Sequence, residues 1–327
     1  MVQIETPLHM SSLVTSWRWD TSTVLVTALL ALVYAGCWVK ARRNGAELPV
    51  RRAVTFGVAG LGIWLLTGIS LIGVYSDTLF WVRALQILLL LYLVPFALAA
   101  GAPMTVLREA LPPRARERMD AALSGSVARF LTYPAVPSLL ILALPWVLLM
   151  SPWLEAVLRH GGIDAFTRIL LVVIGFLYFY SRLQVDPTPK HVNQGFSVLI
   201  TIGESIADGI LGIVLWLGPL VGGGYYESLG RAWGPDLHTD QTIGAGILWL
   251  LGDFLGLIYA LVVMRAWNAD ERRKARELDA ELDAEEVRAK AGKVSARRGF
   301  AVEEDSAPAT TGLWWENDPQ LRDRFRR

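Results

Sequence analysis

Residues 79–101 have the sequence LFWVRALQILLLLYLVPFALAAG, in which Arg83 is the only charged side chain. A helix of this length and composition spans the hydrocarbon core of a bilayer, which is about 30 Å thick. Similar apolar runs recur along the chain, and 53% of all residues are hydrophobic. The sequence therefore predicts an all-α fold, a polytopic membrane helix bundle.

The apolar runs predict about seven transmembrane helices within residues 1–265. We place them at residues 23–40, 53–75, 79–101, 130–150, 164–180, 196–218 and 242–264. A charged cytoplasmic helix (266–298) and a flexible amphipathic tail (299–327) are predicted to follow. The first span comes after a largely polar arm and before a group of positive charges, so we expect a retained anchor rather than a signal peptide.

Basic residues concentrate in the odd-numbered loops between the predicted spans. Those loops contain twelve Lys and Arg side chains, against three in the N-terminal arm and the even-numbered loops: Lys40, Arg42, Arg43, Arg51, Arg52, Arg108, Arg114, Arg116, Arg118, Arg129, Arg182 and Lys190 against Arg18, Arg159 and Arg231. Because basic loops stay cytoplasmic, we expect the N-terminus outside and the C-terminus in the cytoplasm of a bacterial plasma (inner) membrane.

Polar side chains inside the predicted spans are the candidate functional residues. A charge there costs at least about 2.5 kcal/mol on insertion scales, so each one suggests a functional or pairing role. The predicted intramembrane polar network consists of Arg83, Gln86, Arg168, Glu204, Asp208 and Asp253.

Two interpretations of this network stay open. In the structural one, Arg83 and Arg168 neutralise Asp208 and Asp253, and Glu204 is the acid left without a cation. Its sharpest form is an ion pair between Arg168 and Asp208 across the fifth and sixth helices. In the functional one, Glu204, Asp208 and Asp253 form an ion or proton path in a polar seam between the sixth and seventh helices.

The remaining residues and motifs of the sequence argue against a catalytic site. The single Cys37 excludes an internal disulfide and any CxxC motif. No Ser-His-Asp set, Cys-His set or phosphate-binding loop is present, so we expect no enzyme, and basic residues spread over loops predict no nucleic-acid partner. Copper remains an alternative ligand, because His9, Met10 and His160 are suitable donors on the predicted outer side.

Short motifs run in a consistent order through most of the chain. They are Trp19-Asp20, Tyr75-Ser76, Leu79-Phe80, Pro95, Gly101-Ala102-Pro103, Asp186-Pro187, Asp240-Gln241, Gly244, Trp249 and the segment 313–319 with Trp314 and Trp315. Together they resemble the CtaG-type family of cytochrome c oxidase assembly factors, bacterial membrane proteins associated with copper delivery to haem-copper oxidases. The resemblance implies a non-catalytic assembly or accessory factor in the lipid bilayer, with cytochrome c oxidase or other respiratory-chain subunits as partners.

The chain departs from that family where the family has histidines in its membrane helices. A family histidine pair corresponds here to Arg83 and Ile87, and two further family histidines correspond to Arg168 and Asp208. An arginine has no lone pair for a metal, although its charge can replace that of a bound cation. The resemblance therefore implies a divergent member without a metal or other cofactor at the family position.

Overall fold

The computed structural model describes residues 15–133, 135–183 and 194–251, together with seven positions between 272 and 283. Of residues 194–202, 205 and 251 it describes the backbone alone. Every regular element in this part of the chain is a helix, which confirms the all-α prediction.

The chain divides into two compact units, Met1–Val263 and Met264–Arg327. In the second unit the described positions, which lie between Arg272 and Asp283, are helical and exposed. The charged helix at 266–298 stays a prediction, and the tail at 299–327 lies outside the described residues.

The first unit contains helices α1 to α13. They are α1 Thr21–Arg43, α2 Val50–Ile69, α3 Leu71–Tyr75, α4 (residues 80–100), α5 Pro103–Ala110, α6 Pro113–Leu123, α7 Ser126–Leu131, α8 Ala135–Met150, α9 Trp153–Arg159, α10 Gly161–Leu183, α11 Gln194–Leu217, α12 Gly223–Ser228 and α13 Leu237–Gly246. Wider π-helical turns occur at Thr55–Gly62 in α2, at Leu89–Leu93 in α4 and at Ile247–Leu251 after α13.

Four helical stretches among the described residues are long and apolar enough to cross a membrane. They are Thr21–Arg43, Val50–Ile69, Phe80–Ala110 and Gly161–Leu183, and the pair formed by α8 and α9, bent by 72°, makes a fifth if it counts as one span. These helices fit a multi-pass membrane protein. The count of seven spans and the sides on which the termini lie stay predictions.

The second predicted span, at 53–75, does not continue as one helix. It breaks at Ser70, whose backbone is extended (ψ −171°) and whose hydroxyl accepts a hydrogen bond from the backbone N–H of Ile72. A serine side chain that caps a new helix competes with continuation of the old one. The break starts α3, and α3 carries Tyr75 and Ser76 back toward the first turn of α4.

Glycines allow the closest helix contacts in the bundle. A Cβ atom on Gly175 of α10 would lie 2.1 Å from the carbonyl oxygen of Leu91 in α4. A Cβ atom on Gly212 of α11 would lie 2.8 Å from the Cβ atom of Trp249, in the turn after α13. Small residues at such crossings let helix backbones approach each other. These contacts set the spacing of the helices that carry the buried charges.

Candidate functional site

Six charged side chains of alternating sign form one connected group at the end of the bundle where α1, α4 and α10 begin. We name it the arginine–aspartate chain, and its members in order are Arg18, Asp77, Arg83, Asp164, Arg168 and Asp20. The N–O distances are 2.8 Å from Arg18 to Asp77, 2.5 Å from Asp77 to Arg83, 2.7 Å from Arg83 to Asp164 and 3.0 Å from Asp164 to Arg168. Three cations therefore balance three anions.

Local sequence places five of the six members of this group. Asp20 is the N-cap of α1 and accepts from the backbone N–H of Ser22 at 3.2 Å. Asp164 and Arg168 are four residues apart in the first two turns of α10, so they lie on the same helix face. Arg83 lies in the first turn of α4, and Asp77 follows α3.

Arg83 is the most completely bonded member. Its side chain is 3% exposed and donates to Asp77, to Asp164, to the Gln86 amide oxygen at 3.0 Å and to the Ser76 carbonyl at 3.2 Å. Gln86 in turn donates to the Thr67 carbonyl at 2.8 Å. A buried guanidinium is tolerated only when its charge and its N–H groups are matched, and here they are.

Arg168 pairs with Asp20 and Asp164, so the predicted pair with Asp208 is wrong. It also donates to the hydroxyl groups of Thr23 at 3.0 Å and Ser22 at 3.4 Å. Helical side chains lean toward the N-terminus of their own helix. On α10 this direction leads from Arg168 to Asp164 and to the start of α1. The interpretation in which Arg83 and Arg168 neutralise Asp208 is therefore wrong as well.

Glu204 belongs to a second buried group, which joins α8, α10 and α11. Its carboxylate accepts from the Tyr178 hydroxyl at 2.8 Å and from Arg182 at 2.8 Å. Arg182 also donates to Ser138 at 2.7 Å and lies over the Tyr178 ring, 4.4 Å from its centroid. The prediction that Glu204 lacks a cation is wrong, because α10 runs through Arg182 and places its side chain against α11 instead of leaving it in a loop.

Asp208 lies one turn further along α11 and contacts α4. It accepts a hydrogen bond from the Tyr92 hydroxyl at 3.2 Å. Asp253, its expected neighbour in the polar seam, lies outside the described residues. The proposed seam between the sixth and seventh helices is therefore untested.

Two consecutive motif residues of α13, Asp240 and Gln241, form hydrogen bonds with backbone groups at the ends of two other helices. Asp240 accepts from the backbone N–H groups of Phe80 at 3.1 Å and Trp81 at 2.9 Å, in the first turn of α4. Gln241 donates to the Leu215 carbonyl at 2.7 Å, in the last turn of α11, and to the Pro219 carbonyl at 3.0 Å, just beyond that turn. Helix ends inside a protein need such partners, and Asp240 thereby positions the turn that carries Arg83.

We expect Asp240→Ala to lower the free energy of unfolding by about 3 kcal/mol or more. The substitution leaves two N–H groups of α4 unpartnered and removes the carboxylate from Arg231, which lies 3.2 Å away with a 4% exposed side chain. The measurement is the denaturation midpoint in detergent. Asp236→Ala, which removes an exposed N-cap from the same helix, is the matched control and should shift the midpoint much less. Equal shifts of the denaturation midpoint for Asp240→Ala and Asp236→Ala would show that Asp240 contributes no more than an exposed helix cap.

The other motif residues surround these groups. Tyr75 is 1% exposed and makes an edge contact with Trp233, with ring centroids 5.9 Å apart. Ser76 is fully buried and presents its carbonyl to Arg83. Trp249 packs on Gly209 and Gly212. Trp314 and Trp315 lie outside the described residues.

Arg83 and Arg168, two residues that the resemblance places at family histidine positions, are not suitable ligands for a copper ion. Arg83 and Arg168 direct N–H donors at carboxylates and offer no lone pair. Among the described residues, no group of three or more His, Cys, Asp or Glu side chains is arranged to hold a metal. His160 is exposed and lies next to its own helix, 3.2 Å from the Ala156 carbonyl, whereas His9 and Met10 lie outside the described residues.

Sequence reasoning missed the three aspartates of the arginine–aspartate chain. The spacing of four residues between Asp164 and Arg168 is a signal that points to their pairing. For Asp20 the Trp19-Asp20 motif offers a weaker signal. Nothing local in the sequence connects Asp77 or Asp20 to arginines on other helices.

The fold and the buried charges define a multi-pass helical membrane protein with a matched ionic group at one end of its bundle. The model of the cytochrome c oxidase caa3 assembly factor family (Caa3_CtaG) matches residues 32–270. The chain belongs to this family, as its motifs predicted.

Similar curated proteins come from mycobacteria. Uncharacterised proteins of Mycobacterium bovis and Mycobacterium tuberculosis are each 25% identical over 291 residues, and one of Mycobacterium leprae is 23% identical over 289 residues. These matches cover 86% of this chain and 44% of each relative, so the chain spans less than half the length of the curated relatives it matches. No solved structure gives a significant match.

Proposed function

We propose that this chain is a non-catalytic accessory factor for the assembly of a haem-copper cytochrome c oxidase. It would be embedded in a bacterial plasma membrane and would hold no metal at the positions where the family has histidines. The observation that carries the proposal is the arginine–aspartate chain. Arg83 and Arg168 stand where the family has histidines, and their N–H groups are engaged by carboxylates, hydroxyls and a backbone carbonyl.

The geometry supports a structural role for these charges. A metal carrier needs ligands that exchange, whereas buried Arg–Asp pairs are costly to open. The pairs connect α1, α4, α10 and the segment after α3, so they hold four elements in one arrangement. Such a rigid intramembrane face suits a protein that binds other membrane subunits during their assembly.

Co-purification from the native membrane tests the partner. We expect a tagged chain, extracted in mild detergent, to enrich cytochrome c oxidase subunits in mass spectrometry. Deleting the gene should lower the oxidase haem absorbance of the membranes, and the intact chain should restore it. An untagged strain is the control. Unchanged oxidase levels together with no enriched oxidase subunit would overturn the proposal.

We expect the purified chain to hold well under one copper per molecule after loading with Cu(I) and desalting. The positions that the family fills with histidine supply at most one donor, Asp208, which is hydrogen-bonded to Tyr92. A variant with Arg83→His and Ile87→His restores the family's histidine pair. Its copper content after the same Cu(I) loading is compared with that of the natural chain. Stoichiometric copper in the natural chain that is lost with Asp164→Asn or Asp208→Asn would contradict the prediction.

The two alternative functions receive less support. The contacts of Glu204 with Arg182 and Tyr178 form a fixed ion pair, which is unlike a site that exchanges protons or ions. A copper donor built on His9, Met10 and His160 would depend on His160, which is exposed at the end of α9.

We propose that the loop after α1 faces the cytoplasm and that the segment around α12 faces outward. In a Cys37→Ser background, an impermeant maleimide applied to intact cells should label Glu227→Cys, whereas Glu47→Cys should react only after lysis. Both glutamates are exposed, so accessibility alone does not favour either site. The reverse labelling pattern would discard this orientation.

A further inference from the structure

Two separate segments at one end of the bundle, the loop after α1 and helices α5 to α7, are rich in basic residues. Asn44, at the end of α1, donates to the Glu109 carbonyl in α5 at 3.0 Å. Beneath this contact, Ala41, Val106 and Ala110 are buried in the same apolar core. The end of α1 and α5 therefore lie side by side, and α6 and α7 follow α5 in the chain.

Exposed cations dominate this surface. We define the basic face by its seven exposed Lys and Arg residues: Lys40, Arg42, Arg43, Arg51, Arg114, Arg118 and Arg129. None of them makes a salt bridge to another described residue. The face thus has cationic groups available for an external anion.

The nearby acids do not neutralise the basic face. Glu109 pairs with Arg116 at 3.0 Å, and Asp120 pairs with Arg108 at 2.9 Å. The hydrogen bonds and the charge of Arg108 hold the pKa of Asp120 below its usual range, so its carboxylate is ionised at neutral pH. Glu47 and Glu117 are the exposed acids that remain on these elements.

Apolar and aromatic side chains are exposed on α7 and on the turn that follows it. Val127 is 73% exposed, Phe130 64% and Tyr133 53%, and the exposed Arg129 lies among them. The apolar helix α8, which with α9 makes the fifth candidate span, begins at Ala135, so these side chains lie directly before a candidate membrane segment. Exposed apolar and aromatic groups flanked by cations at that position are typical of segments that lie in the membrane interface.

We propose that the basic face binds the headgroups of anionic phospholipids and that α7 lies in the interface of the same leaflet. Charge selects the headgroup, because a cationic face next to a span attracts anionic lipid. The position of Phe130 and Val127 on α7, directly before the apolar helix α8, favours lipid over a soluble acidic protein. This inference does not depend on the oxidase as partner.

Lipid titration of the purified full chain, followed by native mass spectrometry, tests the headgroup. Phosphatidylglycerol should bind and raise the thermal midpoint, whereas phosphatidylcholine should do neither. The triple variant Arg114→Gln, Arg118→Gln, Arg129→Gln should weaken phosphatidylglycerol binding about tenfold or more. Glu117→Gln on the same helix is the matched control and should leave binding equal or tighter. Equal binding of the two lipids, or a triple variant that binds as the natural chain does, would overturn the proposal.

Spin labels test the position of α7 separately. In nanodiscs containing phosphatidylglycerol and in a Cys37→Ser background, a nitroxide at Phe130→Cys should be accessible to oxygen and shielded from a water-soluble nickel chelate. A nitroxide at Arg118→Cys should show the reverse. If the labels at Phe130→Cys and Arg118→Cys are equally accessible to the nickel chelate, α7 does not lie in the membrane interface. Binding of an acidic oxidase segment to this face with no preference between lipids would assign it to a protein partner instead.

Discussion

Asp164→Asn is expected to lower the free energy of unfolding by about 3 to 5 kcal/mol, the usual effect of removing one partner from a buried ion pair. Asp164 is the only carboxylate of the arginine–aspartate chain that binds both Arg83 and Arg168. Its neutralisation leaves two buried guanidinium groups with one carboxylate fewer and a net positive charge. The measurement is chemical or thermal unfolding of the purified chain in detergent.

Asp120→Asn is the matched control, because it breaks an Arg–Asp pair of similar geometry on an exposed surface. Exposed pairs contribute little, so its shift should be much smaller. Asp164→Leu combined with Arg168→Leu removes one charge of each sign and should cost less than the sum of the single changes. Additive single and double changes, or equal shifts for Asp164→Asn and Asp120→Asn, would show that the buried group is not a coupled network.

Gly175→Ala is expected to disrupt the packing of α4 against α10, with a cost of about 1 to 3 kcal/mol or more from overpacking. The added Cβ atom would lie 2.1 Å from the Leu91 carbonyl oxygen and 2.6 Å from the Pro95 ring. A backbone carbonyl cannot move aside by a change of rotamer, so α4 and α10 must separate. Because these helices carry Arg83, Asp164 and Arg168, the separation should also disturb the ionic group.

Gly36→Ala in α1 provides the comparison, since a Cβ atom there meets nothing within 4 Å. Alanine is the better helix former, so this variant should unfold at the same midpoint or slightly higher. A double variant, Gly175→Ala with Asp164→Asn, should be less damaged than the sum of the two single changes if both act through the α4–α10 contact. A Gly175→Ala midpoint equal to that of Gly36→Ala would contradict the close approach.

The fold class could be predicted from the sequence because it rests on local properties. Apolar runs of bilayer length require helices, since a backbone in lipid must satisfy its own hydrogen bonds. The candidates Arg83, Gln86 and Arg168 were identifiable for the same reason: a charged or strongly polar side chain within such a run is costly and stands out. Asp240 and Gln241 were identifiable as a motif, but their capping of two remote helices was not.

The sequence by itself determined that the chain is a helical membrane protein, which family it resembles and that Arg83 and Arg168 are charges inside apolar spans. Only the tertiary structure decided the partners of those charges. Arg168 reaches Asp20 and Asp164 rather than Asp208, and Arg182 reaches Glu204, because partner choice depends on which helices are neighbours and where their side chains point. Those relations join residues up to 148 positions apart. Hydrophobic periodicity, a local property, contains no information about contacts at that separation.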